Sequence, residues 1–134
     1  MIVVVAVIVS CDGDVLLQLR RPHREFPCTW ECPGGKLEAG ETEEVALRRE
    51  LSEELAIYHS DITIHDLLGE FSFFPPDVKT PCILKFYNVV LKHDVTTRLR
   101  LNDAMAVGWF SRESLKHIQL TLGNNRFFQE QGWI

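Results

Sequence analysis

Cysteine is scarce and unpaired in this chain: four in 134 residues, with no CxxC among them. That removes the usual frame of a structural zinc site or a disulfide scaffold. Cys28 and Cys32, with His23, are residues of ligand type, but no second pair follows, so reduced thiols are expected. Long apolar runs are missing too. The longest, MIVVVAVIV at residues 1–9, falls short of the roughly eighteen residues that cross a bilayer and lacks the basic flank of an export signal. It reads as a buried central strand, in a cytoplasmic protein without a membrane partner. Nor is there an excess of basic charge. Fourteen Lys and Arg against nineteen Asp and Glu leave a net charge of −5. This argues against sequence-independent binding to long nucleic acid. It does not exclude a polyphosphate that arrives as a metal complex and meets local arginines. His23, His59, His65, His93 and His117 share no ligand spacing. There is no repeat, low-complexity tract or linker, so residues 1–134 are expected to form one domain with its own core.

What is present is a mixed α/β pattern. The β-branched run 2–9 and the apolar segment Val15–Leu19 flank Cys11-Asp12-Gly13-Asp14, a turn signal that suggests a hairpin. Further strands are expected at 62–64, 67–73, 83–91 and 106–110, with a loop at Pro75-Pro76-Asp77. Ser111 is a plausible cap for a short helix to Lys116, and 124–131 reads as a last helix ended by Gly132. Trp30, Phe73, Phe74 and Phe86 read as core or pocket wall.

One stretch stands apart from ordinary surface chemistry. Residues 35–57, GKLEAGETEEVALRRELSEELAI, hold seven glutamates in 23 positions. Thr42 can cap a helix whose first turn carries Glu43 and Glu44, acids suited to the positive end of the helix dipole. No proline or glycine interrupts 43–57, so a helix is expected there. At about 100° per residue Leu47, Leu51 and Leu55 form an apolar stripe, and Glu50, Glu53 and Glu54 share an arc beside it. Such carboxylates repel unless a cation lies among them, and hard oxygen ligands suit Mg²⁺ or Mn²⁺. An acidic solvated face balanced by Arg48 and Arg49 is the plainer reading. The upstream Pro33-Gly34-Gly35, which lets backbone approach a metal or phosphate closely, and Glu41 favour the metal site.

The spacing resembles the signature box of the Nudix hydrolases, G-x5-E-x7-R-E-U-x-E-E-x-G-U with U bulky aliphatic. Gly35, Glu41, Arg49, Glu50, Leu51, Glu53, Glu54 and Ile57 match, and Ala56 stands where the pattern has glycine. Glycine there would ease a left-handed turn, so Ala56 carries strain or the helix runs on. The likeness extends through Leu19-Arg20-Arg21 and Trp30-Glu31-Cys32-Pro33-Gly34-Gly35-Lys36-Leu37-Glu38 to the MutT-like nucleoside triphosphate pyrophosphohydrolases.

This resemblance implies a mixed sheet sandwiched between helices, with the box as loop-helix-loop. It also implies Mg²⁺-dependent hydrolysis of a nucleoside triphosphate to monophosphate and pyrophosphate. An oxidised purine such as 8-oxo-dGTP is the favoured substrate and CTP or dCTP the runner-up, ahead of ADP-ribose, dinucleoside polyphosphates and RNA ends. The implied metal ligands are Glu50, Glu53, Glu54 and a Gly34 carbonyl. Asp103, six residues before Trp109, would join them, although it equally suits a turn. The general base would be Glu53 or Glu50, or else Asp103, and Arg49 would orient the carboxylates. Asn124, fifteen residues after Trp109, would read the purine; a turn or cap role, or Asn125 as reader, stays open. Arg20 and Arg21 would meet phosphate or base, with a plain surface role open for one of them. A catalytically silent nucleotide sensor of the same fold would be expected to have lost one of the three box glutamates, and none is lost. Monomer and homodimer both fit.

Overall fold

In the computed structural model, which describes residues 1–134 except 23, 25, 26 and 75–78, the first strand explains its own composition. β1 (Ile2–Ile8) is apolar at every position because both of its faces are covered. Val4, Ala6 and Ile8 face one core, shared with Ala46, Leu47, Leu51 and Leu55 of helix α1 (Glu43–Leu55). Val5 and Val7 face a second core, shared with Phe127 and Phe128 of helix α2 (Leu122–Glu130). Phe86 and Phe127 stack there with centroids 4.2 Å apart.

Two sheets are arranged around this strand. β4 (Gly34–Lys36), β1, β6 (Cys82–Leu91) and β5 (Ile62–Phe73) form a mixed sheet in that order, with β1 parallel to β6 and the other pairs antiparallel. β3 (Trp30–Glu31), β2 (Val15–Leu19) and β7 (Ala106–Phe110) form an antiparallel sheet. The expected mixed α/β sandwich is what the chain adopts.

Several local expectations change. The 11–14 turn forms, with the Gly13 N–H on Ser10 O at 2.9 Å and the Ser10 N–H on Asp14 O at 2.8 Å. The hairpin does not follow, because pairing stops at a Val9–Val15 bridge. β1 then pairs with β4 and β6 while β2 pairs with β3 and β7. The turn chemistry sets the reversal, and distant partners take the strands. The segments 62–64 and 67–73 are one strand with register breaks between Ile64 and Leu67 and between Leu67 and Gly69. The short helix expected after Ser111 is a single 3₁₀ turn, Ser114–His117, and Ser111 Oγ accepts from the Ser114 N–H at its start at 3.1 Å. α2 begins two residues before Asn124. The expected 75–77 loop and His23 lie outside the described residues.

α1 is capped as its sequence suggests, Thr42 Oγ1 accepting from the Val45 N–H at 3.2 Å. Glu43 ties its first turn to β6 through Lys85 Nζ at 3.0 Å and the Tyr87 hydroxyl. The helix stops at Leu55, short of the expected residue 57. Ala56 turns left-handed at φ 58° and ψ 35°, where its N–H meets the carbonyls of Leu51 and Ser52. A side chain in this region costs about 1–2 kcal/mol, while glycine would give back about 0.4–1 kcal/mol through a more flexible unfolded chain. Ala56→Gly should therefore stabilise the protein by about 0.5–1 kcal/mol in urea unfolding. No gain would mean that the turn is not strained by its methyl group.

Beyond α1, the 3₁₀ turn His59–Asp61 buries the Asp61 carboxyl. It is bonded by Arg98, by the Tyr58 N–H at 2.7 Å and by His93 at 2.7 Å. Arg98 above all, then the Tyr58 amide and His93, holds this carboxyl well below the usual Asp range against the opposing effect of burial. The folded form therefore takes up the proton less readily than the unfolded chain. Its contribution is complete at neutral pH and is lost as pH falls below about 4. The wild-type melting temperature should fall more steeply between pH 5 and 2.5 than that of Asp61→Asn. Parallel curves would remove Asp61 from the acid response.

Candidate active site

Arg49, in the middle of α1, organises the acidic side chains around it. Its Nε and Nη2 grip Glu41 at 2.7 and 2.9 Å, a bidentate pair. Nη2 also donates to the Lys36 carbonyl at 3.0 Å, and Nη1 to Glu50 at 2.8 Å and Glu53 at 3.4 Å. Glu41 in turn accepts from the Glu38 N–H at 2.9 Å, closing the loop onto the helix. The Arg49 hydrogen bonds draw the Glu41 carboxyl below its usual range.

Gly34 and Gly35 allow the close approach. A methyl group at Gly35 would overlap the Glu50 carboxylate, and one at Gly34 would overlap the backbone of Val4 and Val5 in β1. Glu50 is thereby held half-buried, with its side chain 13% exposed, and burial raises its pKa despite Arg49 beside it; Glu54 and Glu53 add to the rise. Burial, and then the charge of Asp103, raises Glu54 in the same direction. Glu53 points more outward, with its side chain 54% exposed. Asp103 lies beside Glu54, where Arg24 pairs with its carboxylate at 2.9 Å and the Arg21 Nε donates to its carbonyl.

A cavity of about 620 Å³ joins these groups to the rest of the candidate set. Gly34, Gly35, Glu50, Glu54 and Asp103 line it together with Arg20, Arg21 and Asn124. Glu53 and Arg49 lie outside its wall, on the neighbouring helix surface. Phe73 lines it as expected; Phe86 is core, Trp30 packs edge-on against Phe110, and Phe74 is exposed. Arg20 pairs with half-buried Glu31 at 2.9 Å. Asn124 is buried, its Oδ1 accepting from the Cys32 N–H at 2.9 Å and its Nδ2 donating to Thr121 at 2.8 Å. It therefore anchors α2 to the end of β3, and one amide hydrogen remains for a ligand. Gln18, Arg24 and Glu31 also line the cavity. Sequence reading did not single them out, and only the polar Gln18 within an apolar strand was a usable signal. Cys28 is exposed and Cys32 buried, so the two do not form a pair.

Among the described residues, no three His, Cys, Asp or Glu side chains stand in closed metal-ligand spacing. The donor set nevertheless fits a hard divalent cation. Glu50 and Glu54 face one cavity and are driven towards their neutral forms by burial and by neighbouring carboxylates, Glu54 and Glu53 acting on Glu50 and Asp103 and Glu53 on Glu54. A positive ion is what would reverse that shift.

The two glycines should respond differently to a methyl group. At Gly35 the obstacle is the end of a flexible side chain, so Gly35→Ala should fold with a melting temperature near wild type while displacing Glu50 and losing hydrolytic activity. At Gly34 the obstacle is β1 backbone, so Gly34→Ala should lose about 1–3 kcal/mol or more of stability. Thermal melts beside an activity assay separate the two, and equal melting temperatures would contradict the packing described.

The NUDIX domain pattern matches residues 1–131. The putative 8-oxo-dGTP diphosphatase 2 of Mycobacterium tuberculosis is 41% identical over 129 residues, covering 96% of this chain and 81% of that protein. The CTP pyrophosphohydrolase of Escherichia coli is 47% identical over 57 residues, 42% of each chain. Among solved structures, a MutT protein from Methanosarcina mazei superposes with a TM-score of 0.80 at 23% identity, covering 97% of this chain and 91% of that one. The MutT NUDIX hydrolase from Burkholderia pseudomallei gives 0.75 at 25%, covering 96% and 95%. With paired glycines and the carboxylates of Glu50, Glu54 and Asp103 lining one cavity, Arg49 ordering Glu50 from beside it, and these relatives alongside, the chain belongs to the Nudix hydrolase family and is a pyrophosphohydrolase.

Proposed function

We propose that this enzyme hydrolyses a nucleoside triphosphate to the monophosphate and pyrophosphate in the cytoplasm, with an oxidised purine such as 8-oxo-dGTP as the favoured substrate. The observation that carries this reading is the cavity that most of the candidate residues share. It has the volume of a small-molecule site and is lined by carboxylates, paired glycines, arginines and two buried amides. The relative named for 8-oxo-dGTP, aligned over nearly the whole chain, supports the choice of base. Cytidine triphosphate is the second reading, favoured by the shorter match to the CTP enzyme.

In this reading Glu50, Glu53, Glu54, Asp103 and the Gly34 carbonyl would hold Mg²⁺, with Mn²⁺ as a substitute. When bound, the ion neutralises phosphate oxygens and makes a bound water more acidic. Arg49 keeps Glu50 and Glu53 oriented through its fork, a positioning role. Glu53 or Glu50, or else Asp103, accepts the proton of the attacking water. Arg20 and Arg21 steer the phosphates or the base edge, and the remaining Asn124 amide hydrogen meets an acceptor on the purine.

Pyrophosphate release should be detected with Mg²⁺ in a screen of canonical and oxidised nucleoside triphosphates, ADP-ribose and dinucleoside polyphosphates, and it should vanish with EDTA. Glu53→Gln, which keeps shape and removes charge, should lower kcat at least about a hundredfold. A Gln variant that turns over normally would remove Glu53 from the machinery. An enzyme that prefers ADP-ribose would overturn the triphosphate assignment.

A further inference from the structure

β2 alternates in period two, so Leu16 and Gln18 lie on the same face. Leu16 is fully buried in the core under α1, and the residue paired across from Gln18 on β7 is Val107, itself packed against that core. The row therefore favours an aliphatic side chain at position 18. Glutamine stands there instead, 8% exposed. On the other side Gln18 pairs with Glu31 of β3, directly across the ladder. The Glu31 carboxylate can only accept, so it suits the amide nitrogen of Gln18 and not its oxygen. Among the described residues, Gln18 Oε1 is the buried side-chain polar atom with no hydrogen-bond partner. A buried acceptor in that condition destabilises the fold, whereas an apolar isostere would not. Gln18 lines the cavity, and the terminal torsion of glutamine is soft, so its oxygen can turn towards a bound molecule.

We propose that Gln18 determines base specificity by accepting a hydrogen bond from an exocyclic amino group of the substrate base. This rests on the reading of the cavity as a nucleotide site. An amide oxygen reads donors and not acceptors, and the carboxylate opposite favours keeping the nitrogen on its own side. Base edges offer ring N–H donors, which guanine, hypoxanthine and uracil carry and cytosine lacks, and exocyclic amino groups, which guanine, adenine and cytosine carry; the amino group is the donor that 8-oxoguanine and cytosine share. Both substrate readings above carry such a group, whereas uracil and hypoxanthine do not. Asn124 contrasts with Gln18: it lines the same cavity, but its oxygen is already bonded to Cys32.

The test measures kcat/KM with Mg²⁺ for pairs that differ at the amino position: dGTP against dITP, dATP against dITP, and dCTP against dUTP. Wild type should favour the amino member of at least one pair by roughly tenfold or more. Gln18→Leu should bring that ratio to within about threefold by a loss on the amino member alone. Gln18→Met, unbranched and of similar length, is the second variant, and melting curves should show both folded and at least as stable as wild type. A ratio unchanged in both variants overturns the inference while leaving the nucleotide reading intact, and so does a wild type without preference in any pair. If neither variant folds, Gln18 is structural and the inference falls. A wild type that hydrolyses none of these nucleotides overturns the reading of the cavity, and the inference with it.

Discussion

The fork of Arg49 is the interaction on which the acidic half of the cavity depends. Glu41 comes from the loop and Glu50 and Glu53 from the helix, and their charges would drive loop and helix apart. One planar guanidinium donates to all three and to the Lys36 carbonyl, so the loop is closed on the helix by bonds that fix direction as well as distance. A lysine would neutralise the same charge without fixing the angle. Isolated surface ion pairs contribute little. Here Arg49, Glu41 and Glu50 are each no more than 21% exposed and the contacts form a network, which places the group outside that ordinary case.

This arrangement needs a rigid floor, and β1 supplies it. Gly34 can lie against β1 backbone only because it has no side chain, and Gly35 then presents a flat surface to the Glu50 carboxylate. β1 is held by a helix-covered core on each face, so the floor does not yield. The same double burial separates β1 from β2 after one bridge, and the cavity lies where the two sheets part. Its lining includes Val3 and Val5 of one sheet and Gln18 and Glu31 of the other. The hairpin that local turn chemistry favours would have closed that space.

The legible part of the chain is the part in which partners are close in sequence. Glu41 and Arg49 are eight residues apart, and the 43–55 helix brings the remaining box side chains onto neighbouring turns. Cap, stripe and carboxylate arc all follow from helical geometry, and α1 departs from expectation only at Ala56. Partners far apart in sequence behave differently. Asp103 meets Arg24 across 79 residues, and Asn124 meets Cys32 across 92. No periodicity encodes such pairs, since they depend on how two sheets and two helices settle together. Gly132, also expected at a helix end, does take a positive φ of 75° just after α2, because that signal is local.

The division between local and distant contacts runs through the chemistry as well. Most of the carboxylates that would bind a cation and set up attack on a phosphoanhydride, Glu50, Glu53 and Glu54, come from the box, so this half can be recognised wherever the spacing occurs, and only Asp103 joins it from a distance. Recognition of a base draws on β2, β3 and the start of α2, elements joined only by tertiary packing. Within that half the two buried amides differ in physical kind. Asn124 has its oxygen and one amide hydrogen paired inside the protein, which makes it a fastener between α2 and β3 with one hydrogen to spare. Gln18 stands across from the Glu31 carboxylate with its oxygen unpaired, in a row where a leucine would pack at lower cost. Burying an acceptor without a partner is unfavourable in the free protein, and a ligand that supplies the missing donor removes that cost on binding. Such a group discriminates more sharply than a satisfied one, because a ligand without the donor leaves the penalty in place.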